Sequence, residues 1–477
     1  MFLNGVQYKC LKVKDVSCLR KKEKKAKKAM TPVKLLSLGY GITILLGTIL
    51  LMLPYASKSG EITNVIDALF TATSATCVTG LIPFDTFHHW SFFGQIVIIC
   101  LIQIGGLGFM TIITLIFMLF KKNIGIYNRT VLMQSAGSYN ISEVTKLIRR
   151  ILVGTILIEG IGALVLTNEF YKLGCSNQDA LYKGIFHSIS AFCNAGFDIL
   201  GADLSGASLT GIVNQPVILI TLMALIVLGA SGFIVWSDII DNKFKFKKYQ
   251  LHTKIVIVFN FLLIVIPAGL FFLFEFTNIG QNGHFESLNL SLTDKIVNSF
   301  FLSVSPRTAG FNAVDLNSLT SAGTLLTIIL MFIGGNSGST AGGLKVTTFV
   351  IIICNLISQA RGSEHIVLFK RRVDDKIVRQ ASALFIAYLS IIVTSTLVIS
   401  AVEEGFKFEQ ILFEITSAIC TVGATAGLSG SGTIFTKLVL IFLMYAGRLG
   451  ALVLFSLFIK KKKEYILEEP KGKLLVG

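Results

Sequence analysis

A seven-residue stretch of this 477-residue chain occurs in four related versions: SATCVTG at 74–80, SAFCNAG at 190–196, the looser VSPRTAG at 304–310 and SAICTVG at 417–423. The closing glycines, Gly80, Gly196, Gly310 and Gly423, are 116, 114 and 113 residues apart. A spacing that regular means one structural unit used four times.

Each unit is mostly apolar. Of the whole chain 53% is hydrophobic and only 15% charged, a balance that the surface of a soluble domain of this size does not tolerate. Runs long enough to cross a bilayer as helices, roughly 20 residues each, fall at 33–53, 92–120, 151–171, 215–239, 255–276, 325–357, 381–401 and 438–459. The units therefore predict two spans each and eight in all.

The first 30 residues are basic and polar, without the apolar core and small-residue cleavage site of a signal peptide, so the first span is expected to remain as an anchor with the amino terminus inside. Segments 1–32, 121–150, 240–254, 358–380 and 460–477 then face the cytoplasm. With Lys34 they hold 34 of the 43 lysines and arginines, the bias of the positive-inside rule. This places both termini in the cytoplasm and the chain in the plasma membrane. The formal charge of +16 thus reads as flanking charge beside anionic lipid head groups, and no nucleic-acid partner is expected. Three charges, Glu159, Lys345 and Arg448, fall within spans.

The eight cysteines form no CxxC pair, which argues against a disulfide framework or a zinc site. Cys77, Cys193 and Cys420 share one position in three units, and inherited repetition explains that without a metal. No cofactor is expected. The six histidines form no HExxH and no span holds a paired acid and base, so the chain is not expected to be an enzyme.

Between its two spans each unit has a short apolar helix followed by the glycine stretch. These helices are NVIDALFTATSAT in the first unit, then Leu181 to Phe192, Leu292 to Val304 and Phe408 to Ile419. Such a helix is too brief to cross, and the irregular backbone after it is tolerated at membrane depth only if protein buries it or it lines water. All four units have the same orientation, so their loops can meet at one axis. The expected fold class is an all-α polytopic membrane protein with four parallel span–pore-helix–filter-loop–span repeats around a central ion pore. A secondary transporter of another solute would be expected to show inverted repeats instead. The predicted divisions are a basic segment 1–32, repeats at 33–120, 151–239, 255–357 and 381–459, and a tail at 460–477.

A short helix pointing its carboxyl end at the axis brings partial negative charge there, and four such ends favour a cation. Val78, Thr79 and Gly80, Asn194, Ala195 and Gly196, Thr308, Ala309 and Gly310, and Thr421, Val422 and Gly423 can turn backbone carbonyls inward to replace the water around a dehydrated potassium ion. Glycine suits the closing position because it adopts positive φ freely and adds no side chain. Thr421-Val422-Gly423 also matches the TVG of potassium-channel filters. Repeat three carries Arg307 where the others have cysteine, and a salt bridge with Asp198 or Asp315 is the expected role.

The second span of repeat three is interrupted by MFIGGNSGSTAGGLK at 331–345, which cannot stay a regular helix. Its residues Gly334, Gly335, Asn336, Ser337, Gly338, Ser339, Thr340, Ala341, Gly342, Gly343 and Lys345 form the expected gate. No phosphate loop is expected, because Leu344 interrupts the Gly-Lys-Ser/Thr order that such a loop needs. Arg448, central to the last span, stands where a charge costs about 2.5 to 3.5 kcal/mol. Aimed into the pore it would raise the barrier to a cation; pairing with Glu159 or helix-end carbonyls is the alternative.

SATCVTGL, SISAFCNAGFD, SPRTAGFN, GNSGSTAGGLK and the arginine of the final span together resemble the Trk/Ktr/HKT superfamily of potassium transporters, most closely its KtrB branch. The likeness runs from about Val33 onward. It implies potassium uptake, a homodimer, and a cytosolic ring of KtrA-like regulatory subunits that bind ATP or ADP. It also implies that the interrupted helix is the gate and that Arg448 is the pore arginine. Sodium-preferring members carry serine at the first filter glycine, and Gly80 argues against that preference. A sodium-coupled or sodium-conducting member of the same superfamily is the alternative.

Overall fold

A computed structural model of the protein describes residues 32–108, 144–201, 208–243, 245–277, 290–363 and 365–450. The expected basic segment 1–32, apart from Pro32, the tail 460–477, and residues 109–120 and 451–459 of two expected spans lie outside them. In chain order the principal helices are α1 (Pro32–Leu51), α2 (Val65–Cys77), α3 (Phe92–Leu107), α4 (Val144–Lys172), α5 (Asn177–Cys193), α6 (Pro216–Ala230) and α7 (Phe233–Asn242). They continue as α8 (Leu251–Glu275), α9 (Leu292–Val304), α10 (Ser321–Phe332), α11 (Val346–Ala360), α12 (Asp375–Ser400), α13 (Phe408–Ile419) and α14 (Ile434–Leu449). A two-stranded hairpin, β1 (Val367–Leu368) and β2 (Arg371–Arg372), separates α11 from α12.

Four of these helices, α1, α4, α8 and α12, are each long and apolar enough to cross a membrane. The short helices α2, α5 and α9 start on the same local signal. Asn64, Ser176 and Ser291 are their N-caps, accepting the amides of Ile66, Asp179 and Asp294. An acid follows three residues after each cap, Asp67, Asp179 and Asp294, where the helix dipole favours negative charge. In α13 the Gln410 side chain accepts the Lys407 amide at 3.0 Å and Glu409 supplies the acid.

Two carboxylates perform a related task between helices. Glu275, at the end of α8, accepts the Thr320 amide and hydroxyl at 3.2 and 2.6 Å. Glu403, just past α12, accepts the Thr433 amide and hydroxyl at 2.8 and 2.7 Å. Thr320 and Thr433 are the N-caps of α10 and α14, so each acid stands at the positive end of the helix that returns into the bundle.

The expected continuous span over 215–239 is a correction. Helices α6 and α7 meet at a 90° bend because Gly232 adopts φ 96, ψ 133, which no helical residue can hold. Gly108, at φ 83 and ψ 132, ends α3 in the same way, and Gly450, at φ 90 and ψ 133, ends α14. The turned α7 is held to α4 by Arg150, whose guanidinium donates to both Asp241 oxygens at 2.7 and 2.6 Å.

Inside a bilayer the helices gain little from hydrophobic burial against one another, so close packing and polar contacts must hold them. One such contact joins the first and last units. Lys437 on α14 pairs with Asp67 on α2 at 2.8 Å, both largely buried. The short helices α2, α5 and α13 are enclosed by the others, with Ala72, Ala75, Ala191, Phe192, Ala418 and Ile419 fully buried.

Candidate functional site

Each short helix ends in a left-handed turn. Val78 (φ 57), Asn194 (φ 60), Thr308 (φ 82) and Thr421 (φ 51) all hold positive φ. For the β-branched Val78, Thr308 and Thr421 that conformation is a genuine outlier, costing on the order of 1–3 kcal/mol each. Hydrogen bonds over-determine the turns. Thr79, Ala195 and Val422 return their amides to Ser74, Ser190 and Ser417, each at 2.8 Å.

The same serines, with Ser305, brace the chain again through their hydroxyls. Ser74 and Ser417 accept the amides of Gly80 and Gly423 at 3.0 and 3.1 Å, while Ser190 and Ser305 donate to the carbonyls of Phe197 and Phe311 at 2.7 and 2.5 Å. These four residues were not among the expected site residues. The signal was present, since a serine stands in all four versions of the motif.

The turns adjoin one another in cyclic order. A β-carbon on Gly80 would collide with the Ala195 carbonyl oxygen, one on Gly196 with that of Ala309, one on Gly310 with that of Val422, and one on Gly423 with that of Thr79. The circle closes after four steps. Each glycine has positive φ, 99, 72, 72 and 94 in chain order, so both backbone conformation and space require it. The twelve residues 78–80, 194–196, 308–310 and 421–423 are thereby brought together, and among them the Thr79 and Thr421 hydroxyls are buried without a hydrogen-bond partner among the described residues.

A second set of glycines positions the turns. Gly105, Gly229 and Gly447 lie against the carbonyls of Thr76, Phe192 and Ile419, at the ends of α2, α5 and α13, and a β-carbon at any of them would strike that oxygen. Each stands three residues before a positive-φ glycine, in the pattern Gly-x-x-Gly at 105–108, 229–232 and 447–450. Gly335 and Gly338 repeat it. Glycine lets backbones approach this closely, and the Gly-x-x-Gly pattern is the sequence signal for the bend at Gly232.

Residues 333–345, between α10 and α11, are non-helical and reach two other units, the second and the fourth. Asn336 donates its amide and its side chain to the Ala230 carbonyl at 3.1 and 2.9 Å, and Phe233 donates to Gly338 at 2.8 Å. The Thr340 hydroxyl meets the Asn194 side chain at 3.1 Å, and Asn194 in turn donates to Thr308 at 3.3 Å. Gly342 lies against the Thr421 hydroxyl. Lys345 folds back on its own segment, donating to the carbonyls of Ala341 and Gly342 at 2.7 and 3.3 Å.

Arg448 bonds helix-end and loop carbonyls. Nη1 donates to Thr340 at 2.5 Å, and Nη2 to Gly105 and, at 3.4 Å, to Gly106. It makes no pair with Glu159, which Gln103 holds through both carboxylate oxygens at 3.2 and 3.1 Å. Arg307 is a further correction. It is buried and donates to Asn260 on α8, which packs against α9 just before it; Asp198 and Asp315 are not its partners.

Asp198, two residues beyond Gly196 and outside the spanning helices, is buried. Burial, and after it the charge of Asp85, push its carboxyl up to about 7, against hydrogen bonds from Leu200 and Ser208. A folded-state value above the unfolded one disfavours the carboxylate, so the contribution to stability is complete below about pH 4 and lost as pH rises towards 7. Asp198→Asn is expected to raise the thermal midpoint at pH 8 and to leave it unchanged at pH 4. The rise to about 7 corresponds to about 4 kcal/mol. Heat-unfolding curves at the two pH values check this, and equal behaviour of the two proteins at both would overturn it.

A family profile described as TrkH, cation transport protein, matches residues 2–466. The potassium/sodium uptake protein NtpJ of Enterococcus hirae is 41% identical over 461 residues, covering 95% of this chain and 99% of that one. The Ktr system potassium uptake protein B of Bacillus subtilis is 38% identical over 448 residues, with 94% and 97% covered. Among solved structures, the potassium transporter TrkH from Vibrio parahaemolyticus matches with a TM-score of 0.69 at 18% identity, covering 91% of this chain and 86% of that one, a likeness of fold. The chain belongs to the TrkH family of cation transport proteins and is a multi-pass membrane transporter, not an enzyme.

Proposed function

We propose that this chain takes up potassium across the plasma membrane through a selectivity filter made of the four glycine turns. The carrying observation is the closed circle in which each glycine faces the carbonyl of the next turn. Carbonyls of Thr79, Ala195, Ala309 and Val422 would stand in for hydration, and the carboxyl ends of α2, α5, α9 and α13 would add negative potential. The architecture that fits is four parallel repeats with eight spans, counting α6–α7 and α10–α11 as broken spans and α3 and α14 as the parts of two others that lie within the described residues. An inside-negative potential would drive entry at about 2.3 kcal/mol per charge per 100 mV.

The segment 334–343 with Lys345 and Arg448 is the gate in this reading. What supports it is its contact with Asn194 and Thr421, which belong to two of the turns, and the Arg448 bonds that tie it to α3. Both termini would face the cytoplasm. The Ktr system name of the Bacillus relative supports a partnership with a cytosolic nucleotide-binding ring of the KtrA kind that binds ATP or ADP, and a homodimer is the assembly proposed to carry it.

A second reading, sodium-linked entry, is favoured by the potassium/sodium name of the Enterococcus relative. One experiment separates the two. Rubidium uptake into vesicles holding the purified chain is expected to be competed by potassium, not by sodium, and to proceed without it. Uptake that requires sodium would establish the second reading, and equal rubidium and sodium fluxes would overturn the filter assignment.

A further inference from the structure

Two cavities lie along α12. The first, about 320 Å³, is almost wholly apolar and is walled by Phe332 and Ile333 at the end of α10, Phe349 of α11, Phe385 and Leu389 of α12 and Leu412 of α13. Thr416, also on its wall, has its hydroxyl turned to the Leu412 carbonyl at 2.8 Å, so it offers the crevice no free donor. The second, about 390 Å³, lies between α11 and α12 among Asn355, Ser358, Gln359, Asp375 and Arg379. Phe349 and Asn355, like Phe385 and Arg379, are six residues apart, so about 9 Å of helix separates the two cavities.

Charge distinguishes the two cavities. Arg379 is exposed and makes no ion pair among the described residues, while Asp375 on the same rim is engaged by Arg372 at 3.2 Å. Around it stand Lys370, Arg371 and Lys376, and among these cations the apolar Val367, Phe369 and Ile377 are 63%, 41% and 45% exposed. Cationic side chains interleaved with bare apolar ones are the composition of a surface lying at the head-group boundary.

We propose that an anionic phospholipid lies along α12 across both cavities, its phosphate on Arg379 with Asn355 and Gln359, and one acyl chain extending into the apolar crevice. The chemistry at each end matches one molecule. A single cation with two neutral donors suits a phosphate, and an aromatic-lined apolar crevice about 9 Å further along α12 suits a hydrocarbon tail. The acyl chain would touch both ends of the interrupted segment, since Ile333 and Phe349 flank it and Ile333 bridges to Leu344 across it. It would also touch α13, which ends in the fourth glycine turn. A ligand seated there holds the segment in the arrangement described, and so biases the gate. The inference rests on the proposed reading only in placing the α11–α12 connection at the cytoplasmic face and in calling the segment a gate.

Native mass spectrometry of the purified full chain, offered phosphatidylglycerol or phosphatidylcholine, tests it without any transport measurement. Phosphatidylglycerol is expected to be retained in preference. Arg379→Gln should lower its retention about five-fold, the share of one basic residue near a lipid surface. Leu389→Trp, which fills the crevice and leaves every charge in place, should lower it as well. Unchanged retention in both variants overturns the proposal. A change of oligomeric mass in Leu389→Trp also overturns it, since a second copy of the chain would then be what covers the crevice. Size-exclusion profiles of the variants identify any that fail to fold, and for those Leu389→Phe and Arg379→Lys, expected to give a smaller loss and near-complete retention, replace them. Rubidium uptake by the same preparations reports separately on the transport reading.

Discussion

Rubidium flux through the Arg448→Ala chain is expected to exceed that of the wild type by one to two orders of magnitude. Two terms act in the same direction. Arg448 donates to Thr340 of the interrupted segment and to the end of α3, and hydrogen bonds from a charged donor contribute about 1.5–3 kcal/mol each. Their loss frees the segment and leaves the Thr340 carbonyl without this donor, which favours any arrangement that finds it another. The second term is Coulombic. A like charge about 8 Å from a passing cation, at an effective dielectric constant near 20, repels it by about 2 kcal/mol. Arg448→Lys divides the terms, since lysine keeps the charge and loses the planar fork that reaches two elements together. Its flux is expected to lie between the other two. An alanine variant that is well folded and conducts no faster than the wild type would remove Arg448 from the gate.

The features legible in the sequence are those that backbone geometry demands of every copy. Gly80, Gly196, Gly310 and Gly423 need both positive φ and an empty β-position, and no other residue offers both, so the repeat is written directly in the chain. The interrupted stretch could be read for the same reason, being too rich in glycine and serine to continue a helix. The bend at Gly232 was missed because its flanks, Leu225 to Ala230 and Phe233 to Val235, are as apolar as any span. Only the Gly-x-x-Gly spacing marks it, and a single helical glycine is often tolerated.

The partners of isolated charges are less legible. Arg307 finds Asn260, Glu159 finds Gln103 and Lys437 finds Asp67, across 47, 56 and 370 residues of chain. Composition says that a charge at membrane depth needs a partner. It does not say which of several polar residues folding brings within reach, and for Arg307 a neutral amide in its own unit stood nearer than either carboxylate. For Arg448 one of the expected alternatives, helix-end carbonyls, supplies the acceptors, at the glycine break that ends α3.

Gly196→Ser carries the largest expected loss. At φ 72 the serine is strained before any contact is considered, and its β-carbon would overlap the Ala309 carbonyl oxygen of the adjoining turn. That oxygen is backbone, fixed by Ser305, which accepts the Ala309 amide at 2.9 Å and the Gly310 amide at 3.0 Å, so relief requires the whole third turn to shift. A displaced carbonyl no longer matches its counterparts in the circle, and a bare potassium ion loses one part of the cage that replaces its water. Each 1.4 kcal/mol so lost is a factor of about ten in binding, and the preference of rubidium over sodium is expected to fall at least tenfold. Gly160→Ser is the control, because Gly160 is exposed on α4 and has no atom within 4 Å of its β-position; its flux and preference should match the wild type. Should Gly196→Ser fold and keep the wild-type preference, the second turn does not bind the ion, and a circle of four carbonyl donors cannot be what selects it.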